Sequence, residues 1–176
     1  MVAGIPFLTG VAGAQEHAPV VQDHSPGPSA KIPPSLEAEH NEIHADLGKI
    51  VEAGGETGEA AKALVAVLHP HFVREQEEVM PLLGLLPDLG NGVLTREIVE
   101  TAKLGEKLKA DLPRMLEEHG KIVAVLEKLQ AAAGREKNAE ATAFVEKLKQ
   151  HARTEEEVLY PAAILVVEYV RLRTDS

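Results

Sequence analysis

The sequence predicts an all-α fold, an up-down-up-down bundle of four helices behind an N-terminal arm. Apolar residues recur at steps of three and four along four long stretches, which is the spacing of one helix face. Alanine, leucine, glutamate and lysine favour helix in these stretches, and none of them alternates as a strand would. Mostly short joints between long amphipathic helices are typical of such a bundle. The 176 residues are enough for one domain, or for one domain and a tail.

Residues 1–34 form the arm, which we expect to be disordered or extended because prolines and glycines interrupt it. An uncharged run that ends at Gln15 contains Ala12-Gly13-Ala14, which resembles a signal-peptidase site, but it lacks the positively charged start of an export signal. Residues 1–14 are therefore either the remnant of such a signal, which implies a periplasmic or exported protein, or part of the tail of a cytoplasmic one.

The predicted domain covers residues 35–176. Its first helix begins at Ser35, a good N-cap, and stops at Gly54-Gly55. The second covers about residues 57–83, and Pro70 should bend or restart it. We expect irregular structure in the longer joint at about residues 84–95.

The third predicted helix covers about residues 94–130. Pro113 marks a kink or a new start in it, and Gly134 ends it. The fourth covers about residues 139–171 and bends near Pro161.

The second half of the chain repeats the first at its histidines and glutamates. The segment HFVREQEEVMP, which starts at His71, recurs 80 residues later as HARTEEEVLYP, which starts at His151. Glu39-His40 recurs as Glu118-His119 after 79 residues. We interpret this pattern as an internal duplication of a helix pair, related by an approximate twofold axis.

Each copy places a histidine and a glutamate at i and i+4, so that both project from one helix face. These pairs are His71 with Glu75 and His151 with Glu155. Their neighbours on that face are apolar, which points the face inward. Two histidines and two glutamates are costly to bury without a partner, and a metal ion offsets that cost. Imidazole with carboxylate suits a first-row transition metal such as iron or manganese.

His40, His71-x-x-x-Glu75, His119 and His151-x-x-x-Glu155 resemble the hemerythrin-like, or HHE cation-binding, domain family over about residues 35–165. The resemblance implies a four-helix bundle that holds two Fe ions, with Mn as the alternative, joined by an oxo or hydroxo bridge. It also implies five histidine ligands and two bridging carboxylates, and His44 can supply the fifth histidine. The expected metal ligands are therefore His40, His44, His71, Glu75, His119, His151 and Glu155.

The family pattern also implies how these ligands divide. One iron takes His40, His44 and His71, the other takes His119 and His151, and both glutamates bridge. One coordination position then stays open on the second iron.

The resemblance implies a protein that binds O2, or NO as another diatomic ligand, for storage, sensing or delivery. The alternatives are a di-iron peroxidase or oxidase, and a protein that stores iron or responds to it. This chain departs from the invertebrate members, which carry the doubled histidine in the third helix, where Val123 stands here, and which use an aspartate as one bridge. We therefore expect di-metal binding more firmly than reversible O2 carriage.

Composition argues against other partners and sites. A net charge of −10 leaves no basic surface for nucleic acid. The chain has no cysteine, which excludes disulfides and thiolate zinc sites. No uncharged run reaches the roughly 18–20 residues of a membrane-spanning helix. A ferritin-like site needs paired Glu-x-x-His motifs, and Leu116 stands where the second glutamate would be.

Several polar residues near the motifs are expected to lie outside the site. Tyr160 is expected to pack in the core, with a place near the centre as the alternative. His69 is expected to face solvent or to cap the bend at Pro70. The residues expected to form a solvated acidic face, with support of a metal ligand by one of them as the alternative, are Glu77, Glu78, Glu156 and Glu157.

Overall fold

The computed structural model describes residues 31–175, which form helices joined by short turns and contain no strand. The predictions for residues 1–30 of the arm lie outside the described residues. A π-helical turn, Glu155–Leu159, joins the last two helices. The helices are α1 (Pro34–Ala53), α2 (Gly55–Glu78), α3 (Met80–Leu83), α4 (Leu86–Gly90), α5 (Arg96–Ala102), α6 (Leu104–Glu136), α7 (Ala139–Thr154) and α8 (Tyr160–Thr174). The all-α prediction is confirmed.

The long helices pack around a common core. Helix α1 contacts α2 and α7, α2 contacts α6, and α6 contacts α7. Helix α8 continues beyond the π turn and packs on α3, α5 and α6. The joint that we expected to be irregular, at about residues 84–95, contains the short helix α4. The short helices on either side of it, α3 and α5, both contact α8. None of the helices within residues 31–175 is long and apolar enough to cross a membrane.

The chain reverses between α1 and α2 at two glycines, as predicted. Gly54 and Gly55 have φ values of 74° and 69°, in the left-handed region that favours glycine. At Gly55 a Cβ would also lie 2.5 Å from Oε1 of Glu136. This carboxylate caps α2 by accepting hydrogen bonds from the backbone N–H groups of Glu56 and Thr57, at 2.8 and 3.0 Å. The end of α6 is thereby held against the start of α2.

Two predicted helix boundaries differ from the structure. Helix α1 begins at Pro34 with Pro33 in the N-cap position, so Ser35 is not the N-cap. Helix α6 continues past Gly134 to Glu136, and Lys137 ends it in the left-handed conformation, with φ of 55°. Asn138 then caps α7, because its side chain accepts a hydrogen bond from the backbone N–H of Ala141 at 2.9 Å. A left-handed residue can end a helix whether or not it is glycine.

The prolines do not mark the helix ends as expected. Pro70 and Pro113 lie inside α2 and α6 and end neither helix. Of the two alternatives at each proline, the restart is therefore wrong, and the bend stays a prediction. A proline inside a helix costs about 3 kcal/mol, and burial of the apolar face on both sides offsets it. The predicted second helix ends instead at Glu78, and the predicted third is divided into α5 and α6. Pro81 and Pro161 lie in the first turns of α3 and α8, where a missing N–H costs least.

The core consists of apolar clusters on either side of a layer of polar residues. On α2, one cluster includes Leu68 and Phe72, and the next begins at Val79. Helix α6 passes between the same two clusters from Met115 to Ile122. The layer between the clusters contains six buried polar side chains: His40, His71, Glu75, His119, His151 and Glu155.

Candidate metal centre

The polar layer brings together six of the seven predicted ligands, and each is at most 4% exposed. Helix α1 supplies His40, α2 supplies His71 and Glu75, and α6 supplies His119. His151 lies in the last turn of α7, and Glu155 begins the π turn. Every long helical stretch therefore contributes at least one side chain.

The six side chains form two groups that share both glutamates. The first group is His40, Glu75, His151 and Glu155, and the second is His71, Glu75, His119 and Glu155. In each group, one nitrogen or oxygen atom from every residue lies within 4.8 Å of the others. Below, the two are called the His40 group and the His71 group.

The carboxylate of Glu75 offers one oxygen to each group. Its Oε2 lies 3.6 Å from Nε2 of His40, and its Oε1 lies 3.6 Å from Nε2 of His71. Two oxygens of one carboxylate that face different imidazoles have the arrangement of a bridging ligand.

Glu155 repeats this arrangement. Its Oε1 lies 3.6 Å from Nε2 of His40 and 2.7 Å from Nε2 of His151, whereas its Oε2 lies 3.4 Å from Nε2 of His119. Each group therefore contains two imidazole nitrogens and one oxygen from each of two carboxylates.

Two donor atoms of the His40 group are buried without a hydrogen-bond partner among residues 31–175. They are Oε2 of Glu75 and Nε2 of His151, whose contact with Glu155 lacks hydrogen-bond geometry. A buried polar group left unsatisfied costs about 1–3 kcal/mol. A cation would satisfy both lone pairs, so the residues present fit a bound metal.

The outer nitrogen, Nδ1, of three of the four histidines lies against a carboxylate. A proton on Nδ1 is then held by the carboxylate, and the Nε2 lone pair is left to face the centre, which is the tautomer that binds metal. The pairs are His119 with Glu156 at 2.6 Å, His71 with Glu118 at 3.2 Å and His151 with Glu39 at 3.2 Å.

His40 differs from the other three, because its Nδ1 is buried without a partner in the described part of the chain. Its ring is held instead by stacking on Phe72, with ring centroids 3.9 Å apart.

The pKa values of the two glutamates in the layer are displaced in opposite directions. Burial and the charge of Glu155 raise the pKa of Glu75 well above its ordinary value. Burial alone would raise the pKa of Glu155 too, but the adjacent imidazoles of His119, His151 and His40 outweigh it and hold this pKa well below its ordinary value. Glu75 therefore holds a proton more tightly than Glu155 does.

The histidines respond to the same charges. Burial lowers the pKa of His71, and the charge of His119 adds to this effect. Burial would also lower the pKa of His119 and of His151, but the adjacent carboxylates, Glu155 above all, outweigh it and raise the pKa of both.

His44 lies outside both groups, contrary to its predicted role. It is half-buried, and its ring packs edge-on against Phe72 and His69, with centroids 5.2 and 5.6 Å away. His44 follows His40 by one turn towards the Gly54 loop, where α2 contributes apolar residues to the core.

The predicted division of the histidines also differs from the structure. His40 was expected to share an iron with His71, but the groups pair His40 with His151 and His71 with His119. The distances account for this pairing. Nε2 of His71 lies 2.9 Å from Nε2 of His119, whereas Nε2 of His40 and Nε2 of His151 both face Oε1 of Glu155, at 3.6 and 2.7 Å.

Tyr160 belongs to the site and not merely to the core. Its hydroxyl donates a hydrogen bond to Oε1 of Glu75 at 2.5 Å and lies 3.2 Å from Nε2 of His119. Burial, together with the nearby Glu75 and Glu155 carboxylates, raises the pKa of Tyr160, so its hydroxyl keeps its proton when no cation is present. The sequence contained no periodic signal for this position.

The acidic residues that we expected to face solvent are divided. Glu77 and Glu157 are exposed, as is His69. Glu78 is buried and pairs with Lys107 at 3.0 Å. Glu156 is partly exposed but contacts His119.

Sequence reasoning gave no role to Glu39 and Glu118, although the signal was present. The duplication places them before His40 and His119, and each supports a histidine of a different helix. Glu118 is itself fixed by Arg74 and Arg114, whose nitrogens lie 2.8 and 3.3 Å away. A repeated acidic residue beside a repeated ligand indicates a supporting contact.

Comparison with known proteins agrees with the fold and with the grouping of these side chains. The family model described as the hemerythrin HHE cation-binding domain matches residues 32–163, which includes all six residues of the polar layer. The comparison with curated proteins finds no match, and neither does the comparison with solved structures. Because the matched segment covers most of the chain, this protein belongs to the hemerythrin family of HHE cation-binding domains.

Proposed function

We propose that this chain is a non-haem di-iron protein that binds O2 or another diatomic ligand such as NO. The His40 group holds one metal, the His71 group holds the other, and Glu75 and Glu155 bridge them. The observation that carries the proposal is that each glutamate presents one oxygen to each group. The ring of contacts among α1, α2, α6 and α7 supports an up-and-down four-helix scaffold around this pair.

The donor set supports iron, with manganese as the alternative. Four imidazoles and two carboxylates suit first-row transition metals, and the chain has no cysteine to favour zinc–thiolate binding. With two nitrogens and two oxygens from the protein, each six-coordinate metal keeps room for other ligands. Bound iron supplies the electrons that a diatomic ligand accepts.

A small cavity beside the glutamates supports a diatomic ligand. Its volume of about 10 Å³ leaves room for the centre of about one water-sized molecule. Its walls include His40, Glu75, Glu155 and Tyr160 on one side, and apolar side chains such as Val79 and Leu159 on the other. Such walls suit a small uncharged ligand. They also favour the His40 group, and not the pair of His119 with His151, as the place where that ligand binds.

The test begins with metal-free protein loaded with Fe(II) under anaerobic conditions. Metal analysis should give two irons per chain, and O2 should then produce an absorption band that disappears on deoxygenation. A variant with both His71→Ala and His151→Ala should lose metal from both positions. His44→Ala is the matched control, because it removes a nearby histidine outside both groups.

The outcomes separate the functions that the sequence left open. A band that never reverses, or consumption of peroxide, would replace O2 binding by oxidase or peroxidase activity. Wild-type protein that holds no metal, or a double variant that keeps two, would refute the di-iron proposal itself.

A further inference from the structure

Tyr160 lies closer to one group than to the other. Its Oη is 2.5 Å from Oε1 of Glu75, the oxygen that faces His71, and 3.2 Å from Nε2 of His119. Both atoms belong to the His71 group. The side chain is 2% exposed, and its ring stacks at 5.7 Å against that of His119. The phenol oxygen is therefore situated among the donor atoms of a single group.

The π turn explains how Tyr160 reaches this position. The backbone N–H of Tyr160 donates to the carbonyl oxygen of Glu155, five residues earlier. In an α-helix, residues five apart point about 140° away from each other, so Glu155 and Tyr160 could not both face the layer. A π turn closes at i+5 and brings the two side chains onto one face.

We propose that Oη of Tyr160 is a further ligand of the metal in the His71 group, and of that metal only. The inference rests on the proposed function, because it requires a metal there. Ligands about 2.0–2.1 Å from one metal lie roughly 2.9 Å apart around an octahedron. Nε2 of His71 and Nε2 of His119 are 2.9 Å apart. Oη of Tyr160 lies 2.5 Å from Oε1 of Glu75 and 3.2 Å from Nε2 of His119, on either side of this value.

Ligation also requires that the Tyr160 hydroxyl group lose its proton. A bound cation is the largest charge in such a pocket and displaces protons from the groups that coordinate it. The metal takes the place of the phenol proton, which leaves to water, and Glu75 exchanges a hydrogen bond from Tyr160 for a bond to the same metal.

The duplication gives the His40 group no equivalent ligand. The residue 80 positions before Tyr160 is Met80, whose thioether is a soft donor and does not suit a hard metal such as Fe(III). The metal in the His71 group therefore has five protein donors and the metal in the His40 group has four. The small cavity borders His40, on the side with fewer donors.

The test uses the full chain loaded with Fe(III), because a phenolate bound to Fe(III) gives a visible charge-transfer band and resonance-enhanced ring vibrations. Wild-type protein should show both signals. Tyr160→Phe should lose both and still bind two irons. Tyr169→Phe is the matched control: Tyr169 is the chain's other tyrosine, and its hydroxyl accepts a hydrogen bond from Arg173 at 2.9 Å. This variant should keep both signals.

Iron content measured on the same samples separates this inference from the proposed function. Two irons without the band in wild-type protein, or a band that persists in Tyr160→Phe, overturns ligation by Tyr160 and leaves the di-iron proposal intact. Wild-type protein without iron overturns both. Loss of iron from Tyr160→Phe supports ligation when wild-type protein shows the phenolate band. Without that band it overturns ligation, because the variant also removes the hydrogen bond to Glu75, which alone would lower the metal content.

Discussion

Replacing Glu118 by glutamine should weaken metal binding in the His71 group by about 10- to 100-fold. The carboxylate oxygen Oε2 lies 3.2 Å from Nδ1 of His71. Glutamine keeps the size of the side chain but removes the charge that favours a proton on Nδ1. Its amide nitrogen can also compete for this contact, and the imidazole would then lose the tautomer that binds metal.

The surroundings of Glu118 set the size of this effect. The side chain is only 19% exposed, so water screens its charge weakly, and a charge-assisted hydrogen bond is roughly twice as strong as a neutral one. A loss of about 1.4–2.8 kcal/mol corresponds to the expected 10- to 100-fold. Glu39→Gln makes the equivalent change beside His151. It should have a smaller effect, because Glu39 is 42% exposed.

The assay is titration of metal-free protein with Mn(II), in competition with a chelator, so that oxidation does not interfere. Glu118→Gln should weaken one of two binding steps, and the other step should stay as in wild-type protein. Glu117→Gln is the matched control, because Glu117 is 68% exposed and, in the part of the chain that the structure describes, pairs only with Lys121. If Glu118→Gln and Glu117→Gln bind equally well, the proposed support of His71 by Glu118 is refuted.

Three further predictions concern the same layer. His44→Ala should keep two metals, because His44 lies outside both groups; loss of either, measured by metal analysis, would restore it as a ligand. Metal affinity should fall as pH falls, because the pKa of Glu75 is raised and its proton must leave before the carboxylate binds metal. A pH-indicator titration should detect the released proton, and an affinity that does not depend on pH would contradict this competition. Gln76→Glu should tighten binding in the His40 group, since Gln76 is the duplicate of Glu156 and Nδ1 of His40 has no partner among the described residues; unchanged competition titrations would exclude that contact.

The sequence was sufficient for the all-α fold and for six side chains of the layer, and four of the six follow from one physical reason. Histidine and glutamate at i and i+4 project from the same face as the apolar residues around them. The duplication repeats that face with the same spacing. Any packing that buries the apolar face must therefore also bury His71, Glu75, His151 and Glu155, whatever the details of the joints.

The misassigned residues depend on position along the helix axis or on backbone register, which periodicity does not specify. His44 shares a face with His40 but lies one turn, about 5.4 Å, further along the helix, beside the ring of Phe72. Tyr160 would point away from Glu155 in a regular helix, and only the π turn brings it in. Pro70 indicates a break by local propensity, and burial on both sides of it outweighs that propensity.

The duplication also shows where the two halves of the chain have diverged. The differences give the His71 group more acidic and phenolic contacts than the His40 group. Glu39 and Glu118 are equivalent and give each group one outer carboxylate. Glu156 and Tyr160 have no acidic or phenolic counterpart in the first half, and both contact the His71 group. That group therefore has more negative charge and one more potential donor. In the His40 group, Nδ1 of His40 has no partner within residues 31–175, and this group borders the cavity. A symmetric scaffold would bind a diatomic ligand equally at either metal. These differences add protein donors to the His71 group and leave the His40 group accessible. We therefore expect the diatomic ligand at the metal of the His40 group, and the most electron-rich metal in the His71 group, across the shared carboxylates.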